Sequence, residues 1–534
     1  MSLPNTETKA ERVERIKKEK NPLSVLDDVK RLLKEGQPLD DETVERLKWY
    51  GVYAQKQQKD ESEKYYMLRV KLVGGEVTPA QIELIGNLSK KYAANTADFT
   101  TRSDIQLHYI KEADIVDILN ELGEFSLSTK MACGDCPRTI VTCPVDGIDP
   151  DEIVSVSDTV RELDFVLSQN EDFANLPRKF KISVGGCSKH CPNHEIQDLG
   201  FTAFKVGERV LFDITAGGGL GNGKRIAHRL GKACEIEDIK KVSVAVIKIF
   251  KEHGNRGERT KARLRHLIEK IGEAEFLGLL EGELGFRLED NPTEPKITKL
   301  AHREHFGIHP SKQSGKTFIG FATGGGKASG DRLITLAGLM FAHDVEKLRF
   351  TVNQNFVAIG VDEEKAKEFA VEVARIGFEY TPSAFSANTL TCTGLTYCRL
   401  AVSETKDFGR ELTGYLESKF SFFNIPLTIA ISGCQNGCSH PYIADIGLIG
   451  TMVKVANNTF ERGFEVELGG KLEGTDSKFT VKTGLKLPPQ RVKKFVEFLI
   501  KSFEESDYED FNEFVAENGM RTAVEFGQYM SIYI

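Results

Sequence analysis

The chain has 534 residues, 40 % apolar and 28 % charged, a globular balance that excludes disordered and fibrous classes and leaves room for three or four domains at roughly 150 residues each. Lys and Arg number 71 against 79 Asp and Glu, a net charge of −8, so a chain-wide nucleic-acid surface is excluded and any anion must be met by a local basic pocket. No apolar run reaches the ~18 residues of a membrane span, and the first residues lack a signal peptide's apolar core. A cytoplasmic protein with no membrane or nucleic-acid partner is expected.

The first 45 or so residues, rich in Lys and Glu with sparse apolar positions, read as a helical, solvent-facing arm wrapped on the body. Trp49-Tyr50-Gly51-Val52-Tyr53 marks the entry into packed structure. Strands are predicted at Tyr65–Leu72, Phe99–Tyr109, Phe180–Val184 and Val210–Ile214, with helices at Pro79–Tyr92 and Ile239–Glu252. Residues 286–315, carrying Pro292, Pro295 and Pro310, read as a linker. Beyond it, strands are predicted at Thr317–Phe321, Leu348–Val361, Leu427–Ile431 and Phe464–Leu468, with helices at Asp331–His343 and Glu363–Ile376.

The two series repeat one another. Asp98–Ile110 resembles Arg349–Val361, Gly186-Cys187-Ser-Lys-His-Cys191 resembles Gly433-Cys434-Gln-Asn-Gly-Cys438, and Asp198-Leu-Gly-Phe201 resembles Asp445-Ile-Gly-Leu448. With Gly217-Gly218 and Gly469-Gly470 these matches share an offset near 250 residues. Two fused copies of one α+β unit are therefore expected.

Nine of the ten cysteines fall in tight groups, and only Cys234 stands alone. In a reducing compartment such grouping points to metal or redox work rather than disulfides. The strongest group is Cys392-x5-Cys398 with Cys434-x3-Cys438: four soft thiolates from two loops suit a [4Fe-4S] cluster. Structural zinc usually takes more closely spaced pairs, and four unrelated buried thiols is the plain alternative. In Leu176-Pro-Arg-Lys-Phe-Lys-Ile-Ser-Val184, strand alternation puts Lys179 and Lys181 on one face and Phe180, Ile182 and Val184 on the other. Such lysines either converge on an anion or guard a solvated edge. Arg102 and Arg138 suit planar oxyanions, or serve as surface ion pairs. The cationic run Arg256–Arg265 is placed on a helix, facing a polycarboxylate, an acidic partner or solvent. The glycine runs at 217–221 and 324–326 lack phosphate-loop spacing, so no nucleotide site is expected.

Together the four second-copy cysteines, the Lys-Phe-Lys strand, Thr100-Thr-Arg102 and Cys133-Gly-Asp-Cys-Pro-Arg138 resemble the sirohaem-dependent assimilatory sulfite and nitrite reductases, nearest the ferredoxin-dependent sulfite branch. The resemblance implies two pseudo-symmetric halves, each a ferredoxin-like half-domain plus a larger α/β domain, with sirohaem between them. The chain would divide into an arm (1–63), half-domains at 64–130 and 311–382, and sirohaem/cluster domains at 131–290 and 383–534. Cys392, Cys398, Cys434 and Cys438 would hold the [4Fe-4S] cluster, with Cys438 also the axial ligand of sirohaem. Arg102, Arg138, Lys179 and Lys181 would surround the substrate. The implied reaction is six-electron reduction of sulfite to sulfide; reduction of nitrite to ammonia and a non-catalytic Fe–S electron carrier are the alternatives. Lys181 favours sulfite, because nitrite reductases tend to carry a neutral amide there. With no flavin or nicotinamide domain, electrons would come from ferredoxin or flavodoxin. Two features depart from the family pattern or extend it. Cys136, Cys143, Cys187 and Cys191 form a first-copy set, either vestigial or a second Fe–S site. In some relatives a cysteine near Cys136 is bonded to a tyrosine, for which Tyr53 is the candidate here.

Overall fold

A computed structural model describes residues 7–56, 64–221, 223–455 and 459–532; the first six residues and 57–63 of the expected arm lie outside them. Helices Lys9–Glu19, Val25–Lys34 and Asp41–Leu47 form the arm. Thr8 and Glu11 close a capping box on the first of them. The arm is less solvent-facing than its charge suggests. Val13, Ile16, Val25 and Val29 are buried, the Lys17 ammonium donates to the Leu176 carbonyl at 2.9 Å, and Trp49 Nε1 donates to the Ala174 carbonyl at 2.7 Å. Strand Val52–Ala54, placed in the arm on sequence, is instead the edge of the first sheet, paired with Tyr65–Val70.

Four five-stranded sheets make the body. The first runs Val52–Ala54, Tyr65–Val70, Ile105–Lys111, Ala97–Phe99, Lys327–Ala328, and the third runs Gly307–Pro310, Lys316–Phe321, Phe356–Asp362, Lys347–Phe350, Glu76–Val77. Each therefore ends on a strand from the other half of the chain: Lys327 and Ala328 pair with Asp98 and Ala97, and Glu76 and Val77 with Arg349 and Leu348. Helices Pro79–Tyr92 and Gly330–Ala342 pack across this junction. Cβ atoms at Gly86 and Gly330 would clash with backbone of the facing helix, which fixes the close approach. One continuous core serves both half-domain sheets.

The second sheet (Ile182–Gly185, Leu199–Val206, Arg209–Ala216, His228–Cys234, Glu289–Asp290) and the fourth (Thr389–Thr391, Ile429–Ser432, Ile446–Lys454, Phe460–Leu468, Val481–Leu487) have separate cores. Both place a parallel pair beside an antiparallel meander. The repeat reaches individual bonds. Lys181 N donates to Asp198 Oδ2 at 2.8 Å, and Thr428 N to Asp445 Oδ2 at 2.6 Å. Both Gly217 N and Gly469 N donate to the corresponding aspartate carbonyl at 2.9 Å.

Two predicted strands are broken. Phe99–Tyr109 is a hairpin with a turn at 100–104, and Leu348–Val361 is its counterpart with a turn at 351–355. Thr100 Oγ1 accepts the Arg102 and Asp104 N–H groups, and Thr351 Oγ1 those of Asn353 and Asn355. A threonine bonding its own backbone this way competes with the strand ladder. The linker is also more structured than its prolines suggest, since Gly307–Pro310 is an edge strand.

Arg303, in the linker, is fully buried. It donates to Glu195 Oε1 at 2.6 Å and Asn193 Oδ1 at 2.8 Å in the first half, and to the Leu472 carbonyl at 3.2 Å in the second. Burial would raise the Glu195 pKa, yet Arg303 holds it at about 2. Arg303→Met strands that carboxylate, a change that costs about 3–5 kcal/mol. A lowered thermal midpoint that Glu195→Gln partly restores in the double variant is expected; an unchanged midpoint contradicts this account of the junction.

Candidate functional site

The turn at 100–104 aims Arg102 inward from the first half-domain. Its guanidinium donates to Gln197 Oε1 at 2.9 Å and to the Thr139 carbonyl, while its buried Nε has no partner among the described residues. Burial, only partly offset by Asp104, lowers its pKa to about 9. Arg138, on the loop after Met131, is held by the Ala132 and Gly134 carbonyls at 2.7 to 3.2 Å. Burial opposes its charge, but Cys133, Tyr53 and Cys136 outweigh that and raise its pKa.

Lys179 and Lys181 precede strand Ile182–Gly185. Phe180, Ile182 and Val184 are fully buried, while the lysines are half-buried on the other face, as strand alternation requires. The strand start is pinned by Asp198, which accepts the Lys181 N–H and a two-point contact from Arg263 at 2.7 and 3.0 Å. Neither lysine has an ion-pair partner among the described residues. Burial first, then Arg263 and Arg138, takes Lys179 down to about 7. Burial, Arg102 and Lys179 push Lys181 well below the usual lysine range. Asp104 and Asp198 offset these cations only in part, and cations crowded in this way make a site that gains energy from an anion.

The far half approaches this pocket through the turn at 434–440. Thr101 Oγ1 donates to the Cys438 carbonyl at 3.1 Å, and Cys438 acts on Lys179 in the opposite sense to the neighbouring cations. His440 lies close enough to Lys181 and Arg102 that, after burial, they lower its pKa, to about 3, and its Nδ1 has no partner among the described residues.

Cys392, Cys398, Cys434 and Cys438 converge. Cys438 raises the pKa of each of the other three, behind burial in every case. Gly433 N–H donates to Cys392 Sγ at 3.1 Å and Leu400 N–H to Cys398 Sγ at 3.4 Å. Amide donors aimed at sulfur favour thiolate and tune a cluster. The four sulfurs are not in the mutual reach of a single ion, whereas Cys143, Cys191 and His305 are. Three half-buried thiols and the exposed Cys438, wider apart than a one-ion site and furnished with amide donors, fit a polynuclear cluster.

Family models describe both kinds of unit: the nitrite/sulfite reductase ferredoxin-like half domain matches residues 57–125 and 309–375, and the nitrite and sulphite reductase 4Fe-4S domain matches 133–288 and 384–523. The chain belongs to the nitrite and sulphite reductase family. It is 33 % identical over 453 residues to "Sulfite reductase [ferredoxin] 2" of Mycolicibacterium paratuberculosis, covering 81 % of this chain and 80 % of that one. It is 32 % identical over 487 residues to "Sulfite reductase [ferredoxin]" of Mycobacterium tuberculosis, covering 87 % of each. Similarity extends to the "Ferredoxin--nitrite reductase" of Synechococcus elongatus, at 28 % identity over 88 % of this chain and 91 % of that one. The structure of the Mycobacterium tuberculosis NirA protein superposes with a TM-score of 0.90 at 29 % identity, covering 95 % and 96 % of the two chains.

Within this family fold, several sequence expectations are corrected. Cys136 does not join the first-copy cysteines; its thiol donates to the Cys133 carbonyl at 2.8 Å. The run Arg256–Arg265 is not one helix facing solvent or an outside acid. Arg256 pairs with Glu14 at 2.8 Å, Arg259 with Asp135 at 2.8 and 3.0 Å, and Arg263 with Asp198. After a single 3-10 turn at Arg259–Lys261, α-helix begins only at Leu264. Asp198, Gln197 and His440 were missed as site residues; Asp198 alone had a sequence signal, its place in the repeat.

Proposed function

We propose that this chain reduces sulfite to sulfide with six electrons from a ferredoxin-type one-electron donor, in a reducing cytoplasm where its ten cysteines stay unpaired. The observation that carries this reading is the meeting of the Cys438 turn with Lys179, Lys181 and Arg102, because a plain electron carrier has no use for cations converging beside its thiolates. Cys392, Cys398, Cys434 and Cys438 would hold the [4Fe-4S] cluster, and sirohaem would bind beside Cys438. When bound, these groups supply the iron that receives substrate and the electrons that reduce it.

The protein's own residues do the rest. Arg102, Arg138, Lys179 and Lys181 offset the anion's charge in a pocket of low dielectric, where such contacts are strongest. Lys179, with its pKa near neutrality, can give up at Nζ one of the two protons that a sulfite oxygen needs to leave as water, the other coming from solvent. Beside the cluster loop, exposed Arg399 and Leu400 form a surface with Lys56 nearby, suited to an acidic donor.

Charge complementarity separates sulfite from nitrite, since the dianion gains more from a second ammonium. Lys181→Asn is expected to lower kcat/KM for sulfite at least about tenfold more than for nitrite, roughly one charge-assisted contact. Steady-state kinetics with both anions and reduced methyl viologen measures it; equal losses reject the sulfite assignment, and no activity with either anion rejects the enzyme.

A further inference from the structure

The first half of the molecule holds a second cluster of soft donors, away from the cationic pocket. Cys143 Sγ lies 3.6 Å from Cys191 Sγ and 3.7 Å from His305 Nε2, and Cys191 Sγ lies 3.3 Å from His305 Nε2. Cys187 neighbours this group and acts electrostatically on Cys143, though its sulfur lies outside the mutual reach of the other three donors. All four side chains are buried, in a pocket otherwise walled by Val145, Ile148, Phe318, Val357 and Ile359. Polar groups gathered in apolar surroundings are costly unless something satisfies them.

The repeat explains how these donors arose. Cys143, Cys187 and Cys191 occupy the places of Cys392, Cys434 and Cys438: Val141, two residues before Cys143, bridges Ser183 in parallel, as Leu390, two residues before Cys392, pairs with Ala430. The place of Cys398 is taken by Asp149, a hard carboxylate unsuited to an iron–sulfur cluster. The missing soft donor comes from elsewhere, as His305 of the linker.

Distance decides what the group can hold. Around a tetrahedral zinc with Zn–S near 2.3 Å and Zn–N near 2.0–2.1 Å, sulfurs stand about 3.8 Å apart and sulfur and nitrogen about 3.6 Å. The observed separations match one ion and are too short for thiolates spread around a cubane. We propose that Cys143, Cys187, Cys191 and His305 bind a single structural zinc ion, with Cys187 turning in to complete the tetrahedron. Binding displaces the thiol protons to solvent and leaves Zn²⁺ held by three thiolates and a neutral imidazole, with no change of oxidation state. Three ligands belong to the first half and the fourth to the linker, so the ion clasps the start of the second half. Glu304 beside it accepts from Asn353 at 2.5 Å, in the turn that mirrors the one carrying Arg102.

The test is elemental analysis of the holoenzyme after exposure to one equivalent of zinc and removal of excess. One zinc per chain is expected, with a zinc X-ray absorption spectrum of three sulfurs and one nitrogen. His305→Ala should lose the zinc and lower the thermal midpoint while iron content stays unchanged. His305→Cys, which keeps four soft donors, should retain the ion and convert the spectrum to four sulfurs. Absence of bound zinc, a zinc spectrum indifferent to His305→Cys, iron enough for two clusters, or a disulfide between Cys143 and Cys191 each overturns the proposal. None of these readouts depends on sulfite turnover, so the zinc site and the enzyme reading stand or fall separately.

Discussion

Cys434→Ser is expected to cut sulfite turnover by more than about 100-fold, with a parallel loss of iron and acid-labile sulfide. Disturbing a residue that merely orients a metal ligand already costs about 10–100-fold, and exchanging the ligand itself removes more. A serine oxygen is hard and poorly matched to iron–sulfur chemistry. The fold should survive the change: Cys434 is half-exposed and outside the apolar cores. The tight turn depends instead on Gly437, at φ +63, where a side chain would run into the Tyr442 ring. Far-UV circular dichroism should therefore be unchanged while iron falls. Full iron content with full activity would remove Cys434 from the cluster.

The second large effect is on pH. Lys179 has a pKa depressed from 10.5 to about 7, first by burial and then by Arg263 and Arg138. Below that value it is an ammonium, able to hold the anion and donate a proton; above it, it is a neutral amine and does neither. Bound anions favour the charged form and move the transition upward. The KM for sulfite should therefore climb as pH rises from about 7 towards 9. Bisulfite itself loses a proton in this region, so the diagnostic is the comparison with Lys179→Arg, whose guanidinium stays charged. That variant should flatten the limb of KM while lowering kcat, since guanidinium is a poor acid. The sign for stability is opposite: depressed pKa means the unfolded chain binds the extra proton between 7 and 10.5, so this lysine opposes folding most below 7 and least above 10.5. A wild-type and arginine profile of the same shape would exclude Lys179 as the titrating group.

Much of this was legible in the chain. Period-two alternation put Lys179 and Lys181 on one face, and near-constant offsets between paired motifs exposed the duplication. Helix Pro79–Tyr92 was readable to the residue because Thr78 caps it and Pro79 suits its first turn. What escaped was set by contacts distant in sequence or by side chains competing with the backbone. Thr100 looks like a strand former, yet its hydroxyl takes the amides that would continue the ladder and so turns Arg102 into the pocket. The arginines of 256–263 looked free because their carboxylates, Glu14, Asp135 and Asp198, lie far away along the chain. His305 gave no signal at all, as a single histidine more than a hundred residues from the cysteines it meets.

The reciprocal loan of edge strands between the two half-domain sheets has a consequence for biosynthesis. Lys327–Ala328 and Glu76–Val77 each complete a ladder whose remaining strands lie more than two hundred residues away. The N-terminal sheet thus cannot be finished on the ribosome until the linker and the start of the second copy have emerged. Until then it waits with an open rim, a slow, long-range closure of the kind that limits folding rate and exposes nascent chains to aggregation.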